Sequence, residues 1–223
     1  MTDPDPFSRA LQLLASGQLD EARIYLEELL RQDADNPDLL YNLGLCYVDL
    51  GRLDKGPELL HRCLQLAPGH SHACVALGIT YLKLGDLPRA KEYTMQTLAA
   101  DPRNPVALKN LGAILGREGD SLRALYYLRR SLEIDPQDPQ TVYGLAFAYT
   151  ELGDMEQAQK HFQMVLEMEA PEELRGLARN EMIGGRKPCI RSITALILPN
   201  ILICIGLKQE GLSLEPIGSH PFS

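Results

Sequence analysis

The chain contains no tryptophan and only four phenylalanines among its 223 residues, so large aromatic anchors are scarce. It also lacks a basic stripe. Lys and Arg number 22 against 30 Asp and Glu, and the pairs Arg129-Arg130 and Arg186-Lys187 stand alone, which argues against a groove for nucleic-acid phosphates. The five cysteines, Cys46, Cys63, Cys74, Cys189 and Cys204, form no CxxC pair and keep no metal-ligand spacing with histidine. They read as small buried hydrophobes. Of His61, His70, His72, His161 and His220, only His70 and His72 are close in sequence. No Asp, Glu or Cys is arranged to complete a metal shell around that pair, so it reads as a surface pair. GxSxG, HExxH, GxxxxGK and GxGxxG are all missing. No catalytic, cofactor or metal site is therefore expected, and the chain is not expected to be an enzyme. The first ten residues, MTDPDPFSRA, lack the basic and apolar regions of an export signal, so a reducing, cytoplasmic setting is expected. With 15 prolines and 18 glycines, the composition also argues against wholesale disorder.

What the chain has in quantity is repetition. NLGLCYVDLG at residues 42–51 returns as ALGITYLKLG at 76–85, displaced by 34 positions. Gly44, Gly78 and Gly112 keep that spacing, with Ala146 next; Pro68, Pro102 and Pro136 keep it too, before Ala170-Pro171. Gly17, Gly51, Gly85, Gly119 and Gly153 form a third series, and Leu30, Leu64, Leu98, Leu132 and Leu166 a fourth. Registers in phase over five periods define units at 3–36, 37–70, 71–104, 105–138 and 139–172. Within the second unit, Leu39, Leu40, Leu43, Cys46, Tyr47 and Leu50 recur at helical intervals. Gly51 interrupts the pattern, and Leu59, Leu60, Cys63, Leu64 and Ala67 resume it until Pro68. Each unit is thus predicted to be a helical hairpin.

A glycine in mid-helix costs up to about 1 kcal/mol relative to alanine. Its recurrence at 44, 78 and 112 implies a close approach by the second helix, which offers Ala22, Ala90, Ala124 and Ala158 at one register and Gly56 in the second unit. These residues resemble the tetratricopeptide repeat. The pattern reads Leu43, Gly44, Tyr47, Gly56, Leu60, Pro68 in one unit and Leu77, Gly78, Tyr81, Ala90, Thr94, Pro102 in the next. It continues as Leu111, Gly112, Leu115, Ala124, Leu128, Pro136 and as Leu145, Ala146, Tyr149, Ala158, Phe162. The first unit departs from it, with Arg9-Ala10 at the Leu-Gly site, and its first helix is expected to be shorter or less regular. The resemblance covers roughly residues 3–172. It implies an all-α, right-handed superhelical solenoid of antiparallel helix pairs, with a concave surface lined by the first helices.

On the family register, the groove that would hold a partner comprises Tyr41, Leu45, Asp49, Ile79, Lys83, Lys109, Ala113, Arg117, Tyr143 and Phe147. Leu45, Ile79, Ala113 and Phe147 would form an apolar seam flanked by Tyr41 and Tyr143, suited to an amphipathic or apolar protein segment. Lys83, Lys109 and Arg117 would add a basic spot able to receive a carboxylate. The family's clamp for chaperone-tail carboxylates is not expected, because Ala113 and Gly144 stand where its asparagines belong. The expected function is a protein-interaction scaffold, or alternatively a non-catalytic subunit that regulates or recruits for a separate enzyme.

Residues 173–185 are expected to form a closing helix. Beyond them, 186–223 break the helical pattern, and 193–207, ITALILPNILICIGL, hold 11 apolar residues of 15. Arg191 and Lys208 bracket only 16 residues there, with Pro199-Asn200 at the centre, while a membrane-spanning helix needs about 17 to 25. Membrane association is disfavoured but left open by this run.

Overall fold

Asparagine, aspartate and histidine at 34-residue intervals open the first helix of each later unit, and glycine closes it. The computed structural model describes residues 5–184, and the regular elements within that span are α-helices. They are α1 (Pro6–Ala15), α2 (Leu19–Gln32), α3 (Pro37–Asp49), α4 (Gly56–Leu66), α5 (Ser71–Leu84), α6 (Leu87–Ala100), α7 (Pro105–Arg117), α8 (Ser121–Ile134), α9 (Pro139–Glu151), α10 (Met155–Glu167) and α11 (Glu172–Gly184). Consecutive helices pair into five antiparallel hairpins, and each hairpin packs on the next to make an all-α solenoid. The helix of the degenerate first unit, α1, is the shortest at 10 residues.

The helix ends explain two of the sequence series. Gly17, Gly51, Gly85, Gly119 and Gly153 all have φ between 74° and 85°, a left-handed conformation in which a Cβ would be strained. After Gly51, the Arg52 amide donates to Tyr47 O at 2.8 Å while Gly51 donates to Val48 O at 3.0 Å. This double closure ends the first helix and reverses the chain. The second helix then starts from an aspartate: Asp86, Asp120 and Asp154 accept the amides of Arg89, Arg123 and Gln157.

The hairpins close where the mid-helix glycines sit. A Cβ placed on Gly44 would lie 2.9 Å from Leu60 Cγ and 3.2 Å from Gly56 O. On Gly112 it would lie 2.6 Å from Leu128 Cγ and 3.3 Å from Ala124 O. On Gly78 the nearest atom is Thr94 Oγ1 at 3.1 Å, with Ala90 O at 3.8 Å. The second helix therefore crosses at its small residue, and the side chain four positions later presses on the glycine. Gly56 replaces alanine in the second unit because Val48 Cγ2 would be 2.3 Å from any Cβ there. Ala10 and Ala146 hold the same register in the first and fifth units and are fully buried.

Successive hairpins are joined by a second rule, which the spacing alone did not reveal. Tyr47, Tyr81 and Tyr149 each reach back 20 residues to the preceding second helix. Tyr47 donates its hydroxyl to Glu27 at 2.5 Å, Tyr81 shares a hydrogen bond with His61 at 2.8 Å, and Arg129 donates to Tyr149 at 2.5 Å. The fourth member of the register is Leu115, opposite Met95 in sequence, so an apolar residue replaces both members of a polar pair there.

Because the crossing differs in tightness between units, substitutions at it should differ in cost. Gly78→Leu is expected to lower stability by about 1 to 3 kcal/mol through overpacking. Gly78→Ala should cost less than Gly112→Ala, since the added Cβ would meet Thr94 at 3.1 Å but Leu128 at 2.6 Å. Urea midpoints of the three variants check this order, and equal midpoints for the Leu variant and parent would show the crossing to be elsewhere. Thr94 is 2% exposed and its hydroxyl lacks a hydrogen-bond partner among the described residues. Thr94→Val should therefore raise stability by about 1 kcal/mol, read from the same urea titration.

Candidate partner-binding groove

The first helices supply the inward residues, and their burial exceeds what one apolar stripe would give. Each residue from Leu39 to Val48 in α3 is buried, as is each from Thr141 to Tyr149 in α9. Leu45, Ile79, Ala113 and Phe147 occupy one register on four successive first helices and are 0%, 4%, 3% and 4% exposed. Tyr41 is 7% exposed and packs against the His70 ring at 4.7 Å between centroids. Its hydroxyl has no hydrogen-bond partner among the described residues, and burial pushes the phenol above its ordinary pKa. Tyr143 is fully buried, edge-on to Phe162 of α10 at 5.5 Å. The seam is thus a covered line of side chains.

The cations expected to form a basic spot are held by the chain itself. Lys83 lies 3.9 Å from Asp49, whose side chain is fully buried, and so ties α5 to α3. Arg117 donates to Leu82 O at 2.9 Å, tying α7 to α5. Lys109 is 6% exposed; its ammonium sits 3.0 Å from Asp138 and donates to Gln140 Oε1 at 2.8 Å, tying α7 to α9. Each cation bridges neighbouring units along the inner face, so the charge of the spot is committed to internal acceptors.

Asp138 is the most constrained carboxylate in this set. Burial pushes its pKa up, but the Lys109 charge, hydrogen bonds from Thr141 and Lys109, and the Gln140 amide together hold it below the usual carboxylate range. It also caps α9 by accepting that amide at 3.1 Å. Beside it, a cavity of about 160 Å³ is lined by Pro105, Val106, Lys109, Asp135, Pro139, Gln140 and Pro171. A second cavity, about 400 Å³, lies between α1, α2 and α3 and is lined by Asp5, Phe7, Asp33, Asn36 and Asp38 among others.

Histidine and cysteine settle into structural roles. Reading His70 and His72 as a surface pair needs correction for His70. Its side chain is only 15% exposed, and its Nδ1 accepts the Ala73 amide at 3.1 Å to cap α5. Sequence position gave a usable signal, since residues 36, 104 and 138 at the same register are Asn, Asn and Asp. Cys46 and Cys63 are fully buried, and burial pushes their thiols up to about 12 and about 11. Neither carries the thiolate that ligation or nucleophilic attack requires. Cys74 is half-buried, whereas Cys189 and Cys204 lie outside the described residues. Among the described residues, no cluster of His, Cys, Asp and Glu could hold a metal ion. Within the same span no helix is long and apolar enough to cross a membrane, and the apolar run 193–207 lies outside it.

Sequence models of the tetratricopeptide repeat match residues 13–56 and 117–180, and another model of the same repeat matches 75–139. Over 58 residues the chain is 34% identical to mouse DnaJ homolog subfamily C member 7, covering 26% of this chain and 12% of that protein. A MamA structure from AMB-1 aligns at 28% identity with a TM-score of 0.58, covering 75% of this chain and 93% of that one. MamA from Desulfovibrio magneticus RS-1 aligns at 24% identity and TM-score 0.64, covering 74% and 93%. A thermophilic tetratricopeptide protein of Thermus thermophilus aligns at 21% identity and TM-score 0.68, covering 80% and 97%. The last two, being below a quarter identical, speak for the fold alone.

The internal pairing of Lys109 gives a direct test. Asp138→Asn preserves a capping side chain, as Asn36 and Asn104 show, but takes the carboxylate away from a buried ammonium. It should lower stability at neutral pH by about 3 kcal/mol. Because the folded carboxylate is depressed, its contribution is present above its unfolded pKa of about 4 and is lost as pH falls through the lower folded value. The parent should therefore lose stability in that acid range, and the Asn variant should show a flatter acid limb in thermal melts.

Proposed function

Because the chain belongs to the tetratricopeptide-repeat family of protein-interaction scaffolds, we propose that it captures an amphipathic or apolar segment of a partner protein on the inner face of α3, α5, α7 and α9. The observation that carries this reading is a single register. The equivalent position of four successive first helices is Leu45, Ile79, Ala113 and Phe147, apolar every time, on the face that the family uses for ligands. Tyr41 and Tyr143 extend the same line at its two ends. A partner carboxylate is not the main determinant, since Lys83, Lys109 and Arg117 already engage Asp49, Asp138 and Leu82 O. Affinity comes instead from apolar anchors that displace the covering of the seam, and the cost of exposing it sets a ceiling on binding.

The acidity of residues 1–170, 25 acidic against 16 basic side chains, favours a partner segment with basic flanks and disfavours nucleic acid. The buried thiols of Cys46 and Cys63 suit a reducing, cytoplasmic setting.

Phe147→Ala is a poor probe, because emptying a 4%-exposed site should destabilise the fifth hairpin by about 3 to 5 kcal/mol. Phe147→Leu keeps most of the volume. The 223-residue chain immobilised against native lysate should enrich a specific protein, and calorimetry with that protein's binding segment should show a loss of about 1 to 2 kcal/mol for Phe147→Leu. Asp38→Ala, at the exposed rim, should cost much less. A folded Leu variant with unchanged affinity, or the absence of any specifically enriched protein, would count against capture on this face.

A further inference from the structure

We propose that the joint between the second and third hairpins is a proton-sensitive seam, in which protonation of His70 removes the cap of α5 and loosens its packing on α3. Four residues at one register begin the first helices of successive units: Asn36, His70, Asn104 and Asp138. Asn36 accepts the Asp38 and Leu39 amides at 3.1 and 3.2 Å, Asn104 the Ala107 amide at 2.9 Å and Asp138 the Gln140 amide at 3.1 Å. His70 does the same work through Nδ1, which accepts the Ala73 amide at 3.1 Å and shares that amide with the His70 carbonyl at 3.0 Å. An amide oxygen cannot lose this ability near neutral pH, and a carboxylate loses it only in strong acid. An imidazole loses it with one proton in the range around pH 6. The proton would also place a positive charge at a helix N-terminus, where the backbone dipoles oppose it.

The groups facing His70 decide which way the balance falls. Asp38 of α3 lies 3.7 Å from Nε2 and favours the cation, but its side chain is 65% exposed and the attraction is screened. Against it stand burial of the imidazole and the neighbouring His72 ring at 6.3 Å; the Tyr41 ring of α3 packs on His70 at 4.7 Å. Burial is the largest influence, and His72 adds to it, so the His70 pKa lies below its ordinary value despite Asp38. The cap therefore requires the neutral form.

A second histidine at the same joint has the same preference for independent reasons. His61 of α4 lies between the hydroxyls of Tyr81 (α5) and Tyr93 (α6), at 2.8 Å from Nε2 and 3.2 Å from Nδ1. A neutral ring can accept from one tyrosine and donate to the other. Arg89 of α6 covers the Tyr81 ring at 4.4 Å and donates to its hydroxyl at 3.3 Å, so a second cation would meet an occupied oxygen. Burial and Arg89 lower the His61 pKa, while Glu92 opposes them. At the same register the preceding joint has Glu27 and the following one has Met95 and Leu115, so neither neighbouring joint holds an imidazole.

The sign follows from the depressed pKa values. Unfolded chains bind these protons more readily than the folded one, so the stabilisation is complete above the free imidazole value of about 6.5 and falls as pH drops through it. Since α3 and α5 both line the inner face, loosening at this joint changes the groove from within, whatever the groove binds.

Hydrogen exchange of the full chain reads the seam directly. After correction for intrinsic rates, protection of the Ala73 amide should fall about fivefold to tenfold between about pH 7.5 and about pH 5.5 in the parent, and less than about twofold in His70→Asn, which carries the cap of the neighbouring units. The Ala107 amide, capped by Asn104, should show no comparable loss in either protein. Ring titration by NMR on the parent gives a second measurement that needs no variant, with His70 titrating below the free value and the Ala73 amide shift following it. Unchanged Ala73 protection in the parent, an equal loss in His70→Asn, or a His70 that titrates at or above the free value would each overturn the proposal.

Discussion

The fold depends on how closely two helices approach within each hairpin. At the crossing, the first helix offers Gly44, Gly78 or Gly112 and the second offers Gly56, Ala90 or Ala124, so that backbone oxygens come within van der Waals range of where a Cβ would be. That distance fixes the angle of the pair, and with it which residues of the first helix remain for the neighbouring units. Leu60, Thr94 and Leu128 then press on the same glycines and lock the register lengthwise. A larger residue at the crossing would alter more than local packing, since each hairpin serves as the template on which the next one stacks.

Within hairpins the chemistry is nearly constant, whereas between them it varies. The tyrosine that reaches back 20 residues meets Glu27 at one joint, His61 at another and Arg129 at a third. The caps at 36, 70, 104 and 138 change from amide to imidazole to amide to carboxylate. At the caps, and at the joints where tyrosine stands, amide, imidazole, carboxylate or guanidinium groups complete the hydrogen bond, so the scaffold does not dictate their protonation behaviour. A repeat array can thus keep one shape while giving each joint its own response to conditions. The second joint holds its histidines for the neutral form, and the fourth holds Lys109 and Asp138 for the charged form.

Much of this was legible in the sequence because the information is one-dimensional. Spacing at 34 gave the hairpins, the closing glycines and the crossing, each of which depends on residues within one unit. The inward register was legible as a list of positions, but not as a state of exposure. Leu45 and Phe147 read in sequence as a ligand-facing seam, and their near-complete burial emerges only when consecutive units are stacked. Lys109 reads as a charge on offer to a ligand because its carboxylate, Asp138, is 29 positions away, at the start of the following first helix. The role of His70 is hidden for a different reason. Histidine suggests a metal ligand or a surface group, and only its register, shared with Asn36, Asn104 and Asp138, points to a cap.

The burial of the inward line also limits how such a scaffold can discriminate. A ligand that touches only the exposed rim meets acidic side chains screened by water and gains little from each. On the capture proposed above, a further gain requires contact with Leu45, Ile79 and Phe147, which are buried in the unliganded chain and must first be exposed. Lys83, Arg117 and Lys109 clasp adjacent first helices to one another, so they resist that opening without touching the ligand. On that proposal, specificity follows from the difference between the apolar surface a segment brings and the stiffness of the joints it must part, and among the described residues the histidines of the joint between the second and third hairpins let a proton change that stiffness.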